Sequence, residues 1–162
     1  MSKKKEPELI AAEYDPRLCY YLSSSFNNKD EMKRIAEELK KKDVNVISTW
    51  INGGPDYHRM VEGDVQHNNA LGDEDISQIE DCDVFVAFTT NAGGKGGRHF
   101  ELGYAIAVSK HRNTRGPATP AIILVGPREN VFHYHNYIDV HFETVEEFLD
   151  NIDETGDLKA LI

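Results

Sequence analysis

Two runs without a polar residue, Val84-Phe85-Val86-Ala87-Phe88 and Ala121-Ile122-Ile123-Leu124-Val125, constrain the fold of this chain most tightly. They are too short for buried helices, and their lack of alternation means that both faces of each strand are covered. The segments between such runs carry helical periodicity. Met32, Ile35, Ala36 and Leu39 recur three to four apart within a helix expected from about Glu31 to Lys42, with Asn28 or Asp30 as its cap. Further strands are expected at Leu18–Leu22, at Val44–Ser48 running out through Thr49-Trp50, and at Asp139–Phe142. Further helices are expected at about 69–81, at 101–109, and from a Thr144 cap to about Ile152. Strand and helix alternate, so the expectation is an α/β fold in one domain: a parallel five-stranded sheet with helices on both faces, flavodoxin- or Rossmann-like. The domain is expected over 17–153, between a flexible N-terminal arm (1–16) and a C-terminal tail (154–162). Lys3-Lys4-Lys5 in the arm is thin support for a nucleic-acid or membrane tether.

Charge and composition narrow the function. The chain has 162 residues, 18 basic and 28 acidic, for a net charge of −10. That balance opposes a nucleic-acid-binding surface, which demands clustered Lys and Arg, but leaves single nucleotides open. No apolar run approaches the ~20 residues of a membrane span. The start lacks the apolar core of a signal peptide, so a cytoplasmic location is expected. Cys19 and Cys82 lack metal-site spacing and read as reduced structural thiols.

The chemistry concentrates between the third strand and the helix after it. Asn91-Ala92-Gly93-Gly94-Lys95-Gly96-Gly97-Arg98 joins Phe88 to a helix carrying Glu101, placed by this reading in the first helical turn. Glycines there let backbone N–H groups approach a ligand, with the positive end of the helix behind them. In a parallel sheet this loop lies beyond the carboxyl ends of the strands, beside Ser23–Phe26 and Thr49–Asn52. Glu101, Asp75 and Tyr21 are the groups expected to converge in that crevice. A carboxylate facing C1′, a second acid for the leaving base and a hydroxyl to hold the first carboxylate form a set suited to cleaving an N-glycosidic bond. Each residue has a plainer explanation. Acids are favoured near a helix start, Asp73-Glu74-Asp75 reads equally as a solvated charge run at a helix start, and Tyr21 as a core aromatic.

The sequence resembles the nucleoside 2-deoxyribosyltransferase superfamily, which includes the 2′-deoxynucleoside 5′-monophosphate N-glycosidases. Three motifs in order carry the resemblance: Tyr21-Leu22-Ser23-Ser24-Ser25-Phe26, Asp75-Ile76 followed by Asp83-Val84, and Gly93 through Glu101-Leu102-Gly103-Tyr104-Ala105. It implies Glu101 as nucleophile on C1′, Asp75 beside the sugar or base helping to protonate the leaving group, and Tyr21 orienting Glu101. It also implies a homo-oligomer, at least a dimer, with Asn130, Phe132 and His133 as candidates to complete a neighbour's base pocket. No cofactor and no metal is expected. Two departures bear on substrate. The family's Gly-Pro is Ser24-Ser25 here, and Lys95 stands six residues before Glu101, where nucleoside-specific members carry an acid. Lys95 with Arg98 suits an anion, hence a 5′-monophosphate, unless both are solvated loop charges. Ser23, Ser24, Ser25, Phe26, Trp50, Gly94, Lys95, Gly96, Gly97, Arg98, Asn130 and His133 are the substrate-binding candidates, Trp50 being either a base-stacking residue or core. His58 and His67 read as loop histidines without a role. The expected ligands are a deoxynucleoside or deoxynucleotide and an acceptor base. The alternatives are a phosphoribohydrolase similar to the lysine-decarboxylase-like family, whose Gly-Gly-x-Gly-Thr loop resembles Gly93–Gly96, and a nucleotide-binding sensor without turnover.

Overall fold

The computed structural model describes residues 15–53, 58–91, 93–94, 96–112 and 119–161. The expected N-terminal arm, apart from Asp15 and Pro16, and the candidate Lys95 lie outside the described residues. Five parallel strands form one sheet: β1 (Cys19–Ser23), β2 (Asn45–Val46), β3 (Val84–Phe88), β4 (Ala121–Val125) and β5 (Val140–Phe142), in the order β2-β1-β3-β4-β5. The helices are α1 (Lys29–Lys40), α2 (Thr49–Asn52), α3 (Val65–Asp81), α4 (Gly97–Arg112) and α5 (Val145–Asp150). β3, at the centre, is buried at all five residues, as its unbroken apolar run requires. α3 and α4 pack together on one face. α1 buries Met32, Ile35 and Leu39 on the other, where Phe148 of α5 meets Phe88 edge-on. The chain leaves β1 toward one edge for β2 and leaves β3 toward the other for β4. The strand order therefore reverses between β1 and β3, which opens a crevice at their carboxyl ends.

Four boundaries differ from the expectation, each for a local reason. β2 stops at Val46, and Trp50 lies in α2 rather than at a strand end. Beyond β2, side chains take over the pairing: the Leu22 N–H donates to Ser48 Oγ (2.7 Å) and the Trp50 indole N–H to the Leu22 carbonyl (2.9 Å). α3 begins at Val65, earlier than expected, because Asp64 caps it by accepting from His67 N (2.9 Å); its first turn starts on exposed Val65 and Gln66 and shows no apolar period. Asp73-Glu74-Asp75 is therefore mid-helix, not a charge run at a helix start. α4 begins at Gly97, with His99 N and Phe100 N both bonding Gly96 O, so Glu101 sits one turn inside the helix and not in its first turn. The segment expected as a C-terminal tail is packed: Leu158 is buried, Tyr20 Oη donates to Gly156 O (2.8 Å), and Lys159 N donates to Asn151 O.

Candidate active site

Period two along β1 puts Tyr21 and Ser23 on the same sheet face, toward α3 and α4. Tyr21 is fully buried and stacked on Phe85 in the next strand, with ring centroids 5.6 Å apart and planes within 8°. Its hydroxyl donates to Glu101 Oε1 (3.2 Å), and Ser23 Oγ donates to Glu101 Oε2. Both oxygens of one carboxylate are thus held from below by two hydroxyls of one strand, and that fixes the plane of the carboxylate. Burial pushes the Glu101 carboxyl up, the Ser23 bond opposes it, and the nearby Asp75 charge adds to it; Tyr21 and His58 pull it down, and the balance stands at about 7. The Tyr21 phenol is driven well above its ordinary range by burial and by the two neighbouring carboxylates, so it acts as a hydrogen-bond donor.

Asp75 reaches the crevice from the middle of α3. Its Oδ1 meets His58 Nε2 at 2.8 Å, and the His58 side chain is only 6% exposed. Of its neighbours in sequence, Glu74 accepts from Thr49 Oγ1 (2.6 Å) and Asp73 from Asn69. Asp75, His58 and Glu101 line a cavity of about 600 Å³ together with Ser24, Ser25, Phe26 and Trp50. The rest of the wall includes Asn27, Arg59, Met60, Glu62, Gly94, Gly96, Gly97 and Arg98. The glycine-rich loop forms its roof. Gly93, Gly94 and Gly96 take φ of +104°, +107° and +91°, where side chains are disfavoured, and a Cβ on Gly94 would lie 3.3 Å from Ser25 Cβ. Ser25 is 5% exposed, and its Oγ is buried without a hydrogen-bond partner among the described residues.

The sequence profile of the nucleoside 2-deoxyribosyltransferase family matches residues 20–135. The chain belongs to this family. No curated protein matches it in sequence. Among solved structures it is similar to a 2-deoxyribosyltransferase of Bacillus psychrosaccharolyticus (16% identity, 86% of this chain and 96% of that one, TM-score 0.61). It is also similar to a CMP N-glycosidase of Clostridium botulinum (19% identity, 82% and 96%, TM-score 0.52). At these identities the likeness is one of fold.

The remaining candidates divide around this nucleoside deoxyribosyltransferase fold. Trp50 is buried, with its indole N–H tied to Leu22 O, and lines the cavity. Phe26 is partly exposed at the cavity mouth, under Lys29 Nζ at 5.4 Å. Ser24 Oγ accepts from Asn28 Nδ2 (3.1 Å). Arg98 is buried and occupied: Nη1 donates to Asn91 O (2.7 Å) and Nη2 to both Glu129 oxygens (2.9 and 2.8 Å), so it clamps the glycine-rich loop to the segment after β4. Asn130 and His133 do not line the cavity. Asn130 caps the 3₁₀ turn Val131–Tyr134, and His133 Nδ1 accepts from Glu129 N (3.0 Å). His58 is the site residue that sequence reasoning left without a role; the one signal for it was its place in a long irregular segment. Among the described residues, no group of three or more His, Cys, Asp or Glu is placed to hold a metal ion, and no helix is long and apolar enough to cross a membrane.

Proposed function

We propose that this protein cleaves the N-glycosidic bond of 2′-deoxynucleosides or their 5′-monophosphates, with Glu101 as nucleophile. The observation that carries the reading is the Glu101 carboxylate, held on both oxygens by Tyr21 and Ser23 at the floor of a nucleoside-sized cavity and faced by Asp75. The transition state resembles an oxocarbenium ion, and a fixed carboxylate below C1′ stabilises that charge before bonding to it. Tyr21 and Ser23 supply orientation, so little reorganisation accompanies the attack. Asp75 contacts the sugar or base and assists departure of the base. Water or a second base then takes the deoxyribose from Glu101.

A 5′-monophosphate is the preferred form on this reading. Backbone N–H groups of Gly94, Gly96 and Gly97 at the start of α4, with the Ser25 hydroxyl, unpartnered among the described residues, beside them, suit a phosphate dianion. Arg98, engaged with Glu129, serves it indirectly by holding the loop. The assembly is a homo-oligomer. His99 packs against His133 with ring centroids 5.8 Å apart, and around them Phe100, Val131, Phe132 and Tyr134 are each more than 60% exposed, an apolar surface suited to a second copy. Loss of association on Phe132→Asp, read by sedimentation, tests it; an unchanged mass removes the surface from consideration.

Chromatographic detection of free base tests the activity, over a panel of deoxynucleosides, deoxynucleoside 5′-monophosphates and ribonucleoside 5′-monophosphates, with and without an acceptor base. Base release that disappears in Glu101→Ala is expected. No release from any substrate sinks the reading, and equal or weaker binding of the monophosphate sinks the phosphate preference.

A further inference from the structure

We propose that His58 is the proton-holding partner of Asp75, so that the pair, rather than Asp75 alone, supplies the proton that the departing base requires. This deepens the glycosidic reading above and rests on it.

The geometry makes the case by elimination among the described groups facing the cavity. Glu101 must be ionised to attack C1′. The Tyr21 hydroxyl is buried, its proton already directed at Glu101 Oε1. Glu62 is exposed at the rim, and Arg59 is a guanidinium that does not yield its proton. Asp75 and His58 remain, joined at 2.8 Å, with the imidazole almost wholly enclosed at 6% exposure. The charges that act on that ring from α3 and α4 are negative: Asp75 and Glu74 (Nδ1 to Oε2 3.9 Å) from the one, Glu101 from the other. Tyr21 from β1 is neutral, and Arg59 is the adjacent cation. Enclosure works against an imidazolium here, yet the Asp75 bond and the three carboxylates outweigh it and hold the proton on more firmly than in water. The backbone at His58 takes φ +65°, in the left-handed region that few non-glycine residues occupy, histidine among the more frequent of them. A second carboxylate beside Glu101 without a cation would oppose ionisation of both; the imidazolium removes that conflict.

The proton balance is simple. As a Glu101 oxygen bonds to C1′, the C1′–N bond breaks and its electron pair stays with the base nitrogen. The base takes one proton from the His58–Asp75 pair and leaves neutral. In the second half, water or an acceptor base bonds to C1′ and gives up a proton to the pair, while Glu101 departs as carboxylate.

The test compares the pH dependence of base release by the wild type, Glu101→Ala and His58→Gln, on whichever substrate the wild type cleaves fastest. Glutamine keeps an N–H for Asp75 but carries no transferable proton. The expected result is a kcat loss of about 100-fold with KM within about threefold, loss of the alkaline limb of the profile, and partial rescue of His58→Ala by added imidazole. A His58→Gln enzyme that keeps kcat and the bell-shaped profile overturns the inference while leaving the glycosidic reading standing. A wild type silent on every substrate overturns both. Should His58→Gln fail to fold, ¹⁵N imidazole spectra of the wild type decide: a His58 neutral at pH 7 overturns the proposal.

Discussion

At the scale of single residues, Glu101 works against the stability of the fold. Its carboxyl is held near 7 against an ordinary value of 4.5, so the folded state binds its proton more tightly than the unfolded state. Stability from this group is therefore present below about pH 4.5, falls as pH rises through the interval to 7, and stays low above it. At pH 8 the ionised group costs up to ~3 kcal/mol, taking ~1.4 kcal/mol per pKa unit. Glu101→Gln is expected to abolish base release while raising the urea midpoint at pH 8, the advantage vanishing by pH 5. An equal gain at both values would refute the account. On the proposed mechanism the same ionisation controls the chemistry: kcat/KM should rise with pH through about 7, because Glu101 would attack in its deprotonated form. Tyr21→Phe removes a donor to the carboxylate, so that rising limb should move to higher pH and the rate near neutrality should fall about tenfold. An unmoved limb in the pH–rate profile would show that Tyr21 does not tune Glu101.

At the scale of elements, two contacts hold the glycine-rich loop and the β4 exit together. Gly126 follows β4 at φ +108°, and a Cβ there would lie 2.7 Å from Thr89 Oγ1 and 2.9 Å from Thr90 N, on the segment leaving β3. Gly126→Ala is expected to cost about 1–3 kcal/mol in chemical denaturation and to weaken substrate binding through the displaced loop. The Arg98–Glu129 pair is the second contact. Arg98→Ala leaves Glu129 without the guanidinium nitrogen that bonds both its oxygens and should destabilise by about 1–3 kcal/mol, less than a fully buried pair because Glu129 remains 27% exposed. If Arg98 instead met substrate phosphate directly, its loss would raise KM for the monophosphate with no change in melting temperature.

At the scale of the whole molecule, the final segment is part of the fold. Ile152 bridges Leu158, Lys42 Nζ donates to Ile152 O, and Leu158 fills the core with 4% exposure. Leu158→Ala should therefore cost about 2–4 kcal/mol by denaturant titration, where a loose tail would give a change within error.

How much of this was legible follows from the range of the interactions. The parallel sheet was readable because β3 and β4 are continuous apolar runs, and such runs are stable only when covered on both faces. The crevice was readable because the glycine-rich loop follows a buried strand directly. The family motifs pointed to Glu101, Asp75 and Tyr21. Local patterning alone did not place the ends of β2, α3 and α4, since a side-chain cap at Asp64 and side-chain pairing at Ser48 and Trp50 leave no periodic trace. Nor did it reveal that Ser23 and Tyr21 share one carboxylate, that Arg98 is consumed by Glu129, that Leu158 is core, or that His58 meets Asp75. His58 lies 17 residues from Asp75, Arg98 31 from Glu129 and Ser23 78 from Glu101. The sequence by itself determined the layers and the place where strand order reverses, because burial and glycine conformation are local demands. Only the tertiary structure decided which charges and hydroxyls face one another there, because that depends on how α3, α4 and the segment carrying His58 close over the sheet.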